Sequence, residues 1–243
     1  MVLQDSDWWL AWTTLGGAVV GSVVAGIISY IQARQATKET LARDEADRLD
    51  RDKTTAFRVH VKLSRILSNL GGLHRQIELA VADADARGLK GALWTKLEPF
   101  AGVYPPVCFD ADELAIFASM KEYELLGKLM TVDDNHNSYM EAVKIYSTRR
   151  LAFEDKFGVP RSPAAPILTP DLAVLAAPLM EELDALATDI RGIARDSFTE
   201  VLALANRIGA KFKIFFDDPA FPSVELPEHL VELLKASDGA AKP

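Results

Sequence analysis

The sequence contains a single cysteine, Cys108, among its 243 residues. One thiol cannot form a disulfide within the chain, and it cannot supply a metal site built from several thiolates. No basic residue stands next to Cys108 in the sequence to stabilise a thiolate, so we interpret it as a buried or inert cysteine.

The chain also lacks an excess of positive charge, since 35 acidic residues outnumber 27 basic ones and the net charge is −8. This balance repels a phosphate backbone, so we expect no nucleic-acid partner. Phosphate-binding glycine loops and the GxSxG, HExxH, CxxC and EF-hand spacings are absent from the sequence. We therefore expect no metal and no cofactor, and no enzyme class is indicated.

Charged residues are missing from Trp8 to Ala33. The most apolar part, Leu10 to Tyr30, would span about 31 Å as a helix, which matches a hydrocarbon core of roughly 30 Å. Three tryptophans lie at its start and Tyr30 at its end, where aromatic belts form. We predict a transmembrane helix over residues 8–31, with the lipid bilayer as a partner.

A cleavable signal peptide is the alternative, but residues 1–7 contain Asp5 and Asp7 and no basic residue. Six basic side chains follow the apolar segment within residues 34–53. The positive-inside rule then predicts a short extracytoplasmic N-terminus at residues 1–7 and a cytoplasmic main domain, in a single-pass protein of the cell membrane.

Small side chains recur every fourth residue within the predicted span, at Gly17, Gly21, Ala25 and Ser29. Such a stripe lets two helix backbones approach closely, so it is a candidate for transmembrane association. Glycine and alanine are also common in membrane helices, and this simpler interpretation stays open.

A charged segment and a regular apolar pattern follow. Residues 32–55 contain six basic and six acidic side chains without proline or glycine, which predicts a solvated helical stalk. A heptad-like spacing then predicts a helix-packing seam, used either in a parallel coiled coil or, because Gly71-Gly72 weakens the helix, within one chain. The seam consists of Val59, Leu63, Ile66, Leu70, Leu73 and Ile77.

Residues 56–236 are predicted to form a helical bundle domain, followed by a frayed tail at 237–243. Asp110 and Glu113 predict a capping box for a helix with Leu114, Phe117, Leu125 and Leu129 on one face. Further signals predict a helix break near residues 133–135 and a proline-rich loop at 158–170. The next helix is predicted to start at Thr169 and to end at Gly209. An extended segment at 211–222 and a short helix at 227–235 are predicted to follow. The predicted fold is all-α: a single N-terminal transmembrane helix, a helical stalk and an antiparallel helical bundle.

The polar-site candidates are weak. Carboxylates beside a histidine suit acid–base work or a divalent ion, yet aspartates also suit a helix break, and we favour the break. Two adjacent arginines suit an anionic ligand, although on a helix they point apart, and we favour a role in solubility. These candidates are Asp133, Asp134, His136, Arg149 and Arg150.

Three functions remain open. The first is a non-enzymatic scaffold, adaptor or regulator that presents an interaction module at the membrane, with a protein partner or self-association. The second is a membrane-tethered sensor that binds a small ligand within the bundle. The third is an enzyme with residues that no motif reveals.

Overall fold

The computed structural model describes residues 5–102, 104–158 and 169–224, with side chains described from residue 29 onward. This part of the chain contains no strand, so the all-α prediction is confirmed for it. Its five helices are α1 (Asp5–Ala86), α2 (Leu93–Lys96), α3 (Ala111–Ser119), α4 (Tyr123–Phe157) and α5 (Pro170–Phe215).

The chain divides into two units, Met1–Lys53 and Thr54–Pro243. In the first unit the backbone is helical from Asp5, and every side chain from Ser29 to Arg51 is exposed. Where side chains are described, no helix contains a stretch long and apolar enough to cross a bilayer. Most of the predicted span, with Gly17, Gly21 and Ala25, lies outside the residues with described side chains.

In the second unit, α5 runs antiparallel to α4. Glu124, near the start of α4, pairs with Arg207, near the end of α5, at 2.9 Å. At the other end of the pair, Arg149 of α4 pairs with Glu182 of α5. These two ion pairs, at opposite ends of the helix pair, show that the two helices run in opposite directions.

The bundle part of α1 also runs antiparallel to α5. Glu78 accepts two hydrogen bonds of 2.8 Å from the Arg191 guanidinium of α5. Earlier on α1, the His60 ring lies 6.2 Å from the ring of Phe221, which follows α5 in the chain. Because α5 opposes both partners, α1 and α4 run in the same direction, and the crossover between them carries α2 and α3. The bundle is thus antiparallel only with respect to α5.

Two helix starts follow local signals. The backbone N–H of Asp110 donates to the Glu113 carboxylate at 2.8 Å, which confirms the capping box that begins α3. Thr169 is the N-cap residue of α5, and Pro170 occupies the first turn, as predicted. The helix predicted to run on from Leu114 to Leu129 is instead two helices, separated where Lys121 has a φ of 60°.

The predicted helix break at residues 133–135 is wrong, because α4 is continuous from Tyr123 to Phe157. Apolar residues at helical spacing on both sides, including Val132 and Met140, are buried and keep the helix on the core. The polar side chains at this point are used for contacts with another segment rather than for a turn.

The predicted end of α5 at Gly209 is also wrong, because the helix continues to Phe215. A Cβ atom at Gly209 would lie 3.5 Å from the carbonyl oxygen of Pro222, an ordinary contact distance, so the returning chain packs next to the helix at this point. Phe212 and Phe216 continue the buried face of the helix, and both rings pack against Phe221. The residues predicted to be extended from 211 are therefore helical as far as Phe215.

The predicted seam residues lie in the core of the bundle, and each is at most 3% exposed. Burial of such apolar surface is the main favourable term in folding, at roughly 25 cal/mol per Å². Gly72 lies on the same helix, where a Cβ atom would come 3.1 Å from the Tyr104 hydroxyl oxygen. The glycine that weakens this helix in isolation therefore allows a tyrosine to pack closely on it.

Nearly all of the predicted proline-rich loop, together with the predicted helix at 227–235 and the predicted frayed tail at 237–243, lies outside the described residues.

Candidate functional site

Asp133 holds the segment that precedes α3. Its carboxylate accepts a hydrogen bond from the backbone N–H of Phe109 at 3.3 Å and another from the Asn137 amide at 3.2 Å. Asn137 also bonds to Val107 on the same segment, through its side-chain oxygen at 3.3 Å. Asp133 therefore acts as a structural link between α4 and the crossover.

The neighbouring polar candidates point elsewhere. Asp134 is exposed, whereas His136 is buried with 2% of its surface accessible. Burial lowers the pKa of His136, so the neutral imidazole is favoured there. The structure therefore does not bring Asp133, Asp134 and His136 together around a common point. No group of three or more His, Cys, Asp or Glu side chains converges for a metal ion in the described part of the chain.

Arg149 and Arg150 have separate environments. Arg149 is half exposed and pairs with Glu182 on α5. Arg150 is only 2% exposed, which corrects its expected role in surface solubility. Its guanidinium carbon lies 4.6 Å from the centre of the Trp94 ring, and its Nε lies 3.2 Å from a carboxylate oxygen of the buried Glu154. The ion pair lies within α4, and the contact of Arg150 with the Trp94 ring links the short helix α2 to α4.

Two grooves lie on the bundle between α4 and α5. The smaller, of about 250 Å³, is lined by the already paired Arg149 and Glu182, by Lys156 and by apolar neighbours. The larger has a volume of about 550 Å³, within the range of small-molecule sites. We call it the α4–α5 groove, and it is lined by Asn135, Ser138, Tyr139 and Ala142 of α4 and by Thr188, Asp189, Gly192, Ile193, Asp196, Ser197 and Glu200 of α5.

The lining of the α4–α5 groove is acidic. Asp189, Asp196 and Glu200 contribute carboxylates, and no lysine or arginine belongs to the lining. In the described part of the chain, Asp196 has an ion pair only with the adjacent Arg195, at 3.1 Å. Its like-charged neighbour Glu200 lies four residues further along α5, a spacing that destabilises a helix. The groove thus concentrates negative charge that the described residues leave largely uncompensated.

Tyr139 is the single buried residue of the lining, with 2% of its surface exposed. Its hydroxyl has no hydrogen-bond partner among the described residues. Burial raises the pKa of Tyr139, so the hydroxyl stays protonated and can both donate and accept. A buried hydroxyl without a partner costs free energy, and Tyr139 shares this situation with other buried polar side chains of the bundle, such as Asn69 and His74.

Gly192 gives the α4–α5 groove part of its space. A Cβ atom built at this position would have no neighbour within 4 Å. Glycine inside a helix costs about 0.5–1 kcal/mol relative to alanine, so helix stability does not explain its presence. The missing side chain leaves open space on the α5 side of the groove, which Tyr139 and Ala142 line on the α4 side.

The residues of this groove are not predicted by any motif in the sequence. Asp189, Asp196 and Glu200 resemble the solvated face of an amphipathic helix, which is the ordinary interpretation. One signal was available: none of the three has a lysine or arginine three or four residues away on α5. On most exposed helices such spacings carry ion pairs of opposite charge. The lining residues of α4 reach the groove only because α4 pairs with α5, so no local sequence pattern indicates them.

Comparison of the chain with protein-family models, with curated proteins and with solved structures gave no match.

Proposed function

We propose that this protein is a membrane-tethered, non-enzymatic regulator whose helical bundle binds a small ligand in the α4–α5 groove. The observation that carries the proposal is the groove itself, which has a volume of about 550 Å³ and is lined by the carboxylates of Asp189, Asp196 and Glu200 and by the buried Tyr139. Ligand sites in proteins are concave surfaces of this size with a few polar groups that fix orientation.

The membrane tether in this proposal is supported by the uncharged apolar segment of residues 8–31 and by the basic residues that follow it. The helical residues from Gln32 to Arg51 are all exposed, which suits a segment in water next to the bilayer. The proposed orientation places the bundle in the cytoplasm.

Cysteine labelling tests the tether and its orientation. In a Cys108→Ser background, an Ala240→Cys variant is treated with a membrane-impermeant thiol reagent on intact and on permeabilised cells. Labelling only after permeabilisation is expected, with the protein in the membrane fraction. Labelling of intact cells would contradict the orientation, and recovery of the unlabelled chain in the soluble fraction would contradict the tether.

A thermal-shift screen tests ligand binding. The full chain is heated with a panel of small metabolites of positive, negative and neutral charge, and the proposal expects at least one to raise the melting temperature. Gly192→Gln places a long side chain in the groove and is expected to remove that shift. Gly127→Gln is the matched control, because Gly127 lies in α4 with no atom within 4 Å of its Cβ position and is not part of the lining.

If Gly192→Gln and Gly127→Gln respond alike to every ligand that shifts the wild-type chain, the α4–α5 groove is not the binding site. If no metabolite shifts the melting temperature of the wild-type chain, the sensor proposal is rejected.

A scaffold that self-associates at the membrane is the second candidate, and one observation favours it. Phe57 and Val61, one turn apart on α1, are 51% and 49% exposed. We expect Phe57→Ser with Val61→Ser to abolish crosslinking between copies in membranes. Met130→Ser on α4, also 51% exposed in the wild type, is the control. Equal crosslinking in all three proteins would contradict this role.

A further inference from the structure

We propose that the C-terminal segment of this chain, residues 225–235, docks on an exposed face of α1 and covers it. The face consists of Phe57, Arg58, Val61 and Arg65, and we call it the α1 face. Three observations support the docking: the exposed apolar side chains of this face, the position at which the described chain ends, and the opposite charges of the two surfaces. The proposal does not depend on the α4–α5 groove.

The apolar part of the α1 face is formed by Phe57 and Val61. They lie one helical turn apart, and 51% and 49% of their surfaces are exposed. Val59 and Leu63, on the other side of the helix, are at most 1% exposed and belong to the core. The α1 face therefore lies outside the core, on a helix whose other side already packs against the bundle.

The described chain ends beside the α1 face. The ring of Phe221 lies edge-on to the ring of His60 at 6.2 Å, and the ring of His60 lies 6.5 Å from that of Phe57. Val224, the last described residue, also packs against the core. Three residues span at most about 11 Å, so Val224 stays close to Phe221. The segment that follows Val224 therefore begins within reach of the α1 face.

The sequence of this segment suits an apolar surface. Its apolar residues recur at helical spacing, which is the pattern that predicts a short helix there, and they are Leu226, Leu230, Val231, Leu233 and Leu234. An amphipathic helix binds by laying its apolar side on another apolar surface. Phe57 and Val61 provide such a surface at the point where the segment starts.

The charges of the two surfaces are opposite. Arg58 and Arg65 are exposed, have no ion pair or side-chain hydrogen bond among the described residues, and lie seven residues apart. Residues 225–235 contain three glutamates and one lysine, and Glu225 and Glu232 are also seven residues apart. Opposite charges favour this pairing. A symmetric pairing of two α1 faces would instead bring the arginines of both copies together, so the segment is the better occupant.

The docked segment regulates access to the α1 face. Self-association through Phe57 and Val61, the second candidate function, requires the same surface. The two contacts therefore compete, and self-association is expected only where the segment has been released.

Disulfide crosslinking in the full chain tests the proposal. In a Cys108→Ser background, Val61→Cys is combined with Leu230→Cys or, in a second protein, with Leu234→Cys. Under mild oxidation we expect at least one pair to form a disulfide within one chain, detected by mass spectrometry of the digested monomer. Met130→Cys with the same partners is the control, because Met130 is also 51% exposed but lies on α4. We expect it to react about tenfold more slowly, since docking raises the effective concentration only at the α1 face.

A charge variant separates docking from the mere proximity of the chain end. Glu228→Gln with Glu232→Gln leaves the length of the segment unchanged and is expected to slow the Val61 crosslink about threefold or more. The matched control, Asp134→Asn with Glu181→Gln, removes the same charge from exposed positions on α4 and α5. It is expected to leave the rate unchanged, because charges far from the contact are screened.

The accessibility of the α1 face is the second measurement. In the full chain, Leu230→Ser with Leu234→Ser removes apolar side chains of the segment. It is expected to raise the reactivity of a single Val61→Cys thiol toward a bulky maleimide about threefold, and to leave that of Met130→Cys unchanged.

Equal crosslinking rates for Val61→Cys and Met130→Cys would overturn the proposal, as would equal slowing by the two charge variants. Crosslinks that form only between two chains would also overturn it and would favour self-association through the α1 face. An unchanged reactivity of Val61→Cys in the serine variant would show that the segment does not cover this face. None of these outcomes bears on ligand binding in the α4–α5 groove.

Discussion

At the scale of single residues, two buried tyrosines of α4 have opposite hydrogen-bonding situations. The Tyr146 hydroxyl donates to the carbonyl oxygen of Leu97 at 3.0 Å, whereas the Tyr139 hydroxyl has no partner among the described residues. A made hydrogen bond contributes about 1 kcal/mol, and a buried group without a partner costs about 1–3 kcal/mol. The two hydroxyls should therefore affect stability in opposite directions.

We expect Tyr139→Phe to raise the free energy of unfolding by about 1 kcal/mol and Tyr146→Phe to lower it by about 1 kcal/mol. Denaturant unfolding of the full chain, followed by circular dichroism, measures both. A loss of stability in Tyr139→Phe as large as that in Tyr146→Phe would mean that Tyr139 has a structural partner.

Arg149 and Arg150 provide a second matched pair. Removal of one member of a buried ion pair leaves an uncompensated charge and costs about 3–5 kcal/mol, so Arg150→Ala should be severely destabilising through Glu154. The exposed pair of Arg149 with Glu182 contributes about 1 kcal/mol or less, so Arg149→Ala should be nearly neutral. Unfolding midpoints in denaturant compare the two variants, and similar values would contradict the burial of Arg150.

At the scale of helices, the glycines differ in the space around them. A Cβ atom at Gly127 would meet nothing within 4 Å, whereas one at Gly72 would lie 3.1 Å from the Tyr104 hydroxyl. Gly127→Ala should therefore stabilise the chain by about 0.5–1 kcal/mol through helix propensity alone. Gly72→Ala should give less than this or destabilise, because Tyr104 must move. Thermal unfolding of both variants is the measurement, and equal gains would contradict the close packing of Tyr104.

Helix starts could be predicted from the sequence because their causes are local. The capping box at Asp110 and the proline after Thr169 act within one turn of the residues that carry the signal. The interruptions inside helices were predicted poorly. Asp133 resembles a turn residue, yet its carboxylate bonds to the backbone of Phe109, so a tertiary contact uses the polar group.

The end of α5 shows the same limit. Glycine is a frequent helix stop, but the helix continues past Gly209 because the buried Phe212 and Phe216 keep it on the core. Conversely, the turn at Lys121 between α3 and α4 has neither glycine nor proline, and its positive φ could not be expected from the residue type. At these positions, long-range packing overrides the local conformational propensity of the residue.

The α4–α5 groove could not be predicted from the sequence at all. Its two walls are separated by more than forty residues, between Ala142 and Thr188 at the nearest. They meet only through the packing of α4 against α5 in the shared apolar core. The seam on α1, in contrast, was visible because its apolar spacing recurs within one helix.

At the scale of the whole molecule, acid should destabilise the bundle in two stages. Burial lowers the pKa of His60, His74 and His136 below the ordinary 6.5, so the unfolded chain takes up protons first as the pH falls. The Arg191 hydrogen bond lowers the pKa of Glu78 below its ordinary 4.5, and the stability from this pair is lost at lower pH. Stability therefore declines first below about pH 6.5 and again below about pH 4.5.

We expect the free energy of unfolding to fall by about 1 kcal/mol between about pH 7.5 and about pH 5.5. His74→Gln combined with His136→Gln should remove much of this decline. Denaturant unfolding at the two pH values measures the effect. A wild-type chain with a flat profile over this range, or a double variant with an unchanged decline, would contradict the burial of the two histidines.

The α4–α5 groove as the ligand site of the whole molecule is tested most directly by hydrogen–deuterium exchange on the full chain, with and without a metabolite that raises its melting temperature. Ligand in the groove should slow amide exchange in peptides that cover residues 135–142 and 188–200, because both walls become more ordered. Exchange in α2 and α3 should stay the same. Protection confined to other parts of the chain, or none at a saturating concentration, would contradict the assignment of this groove.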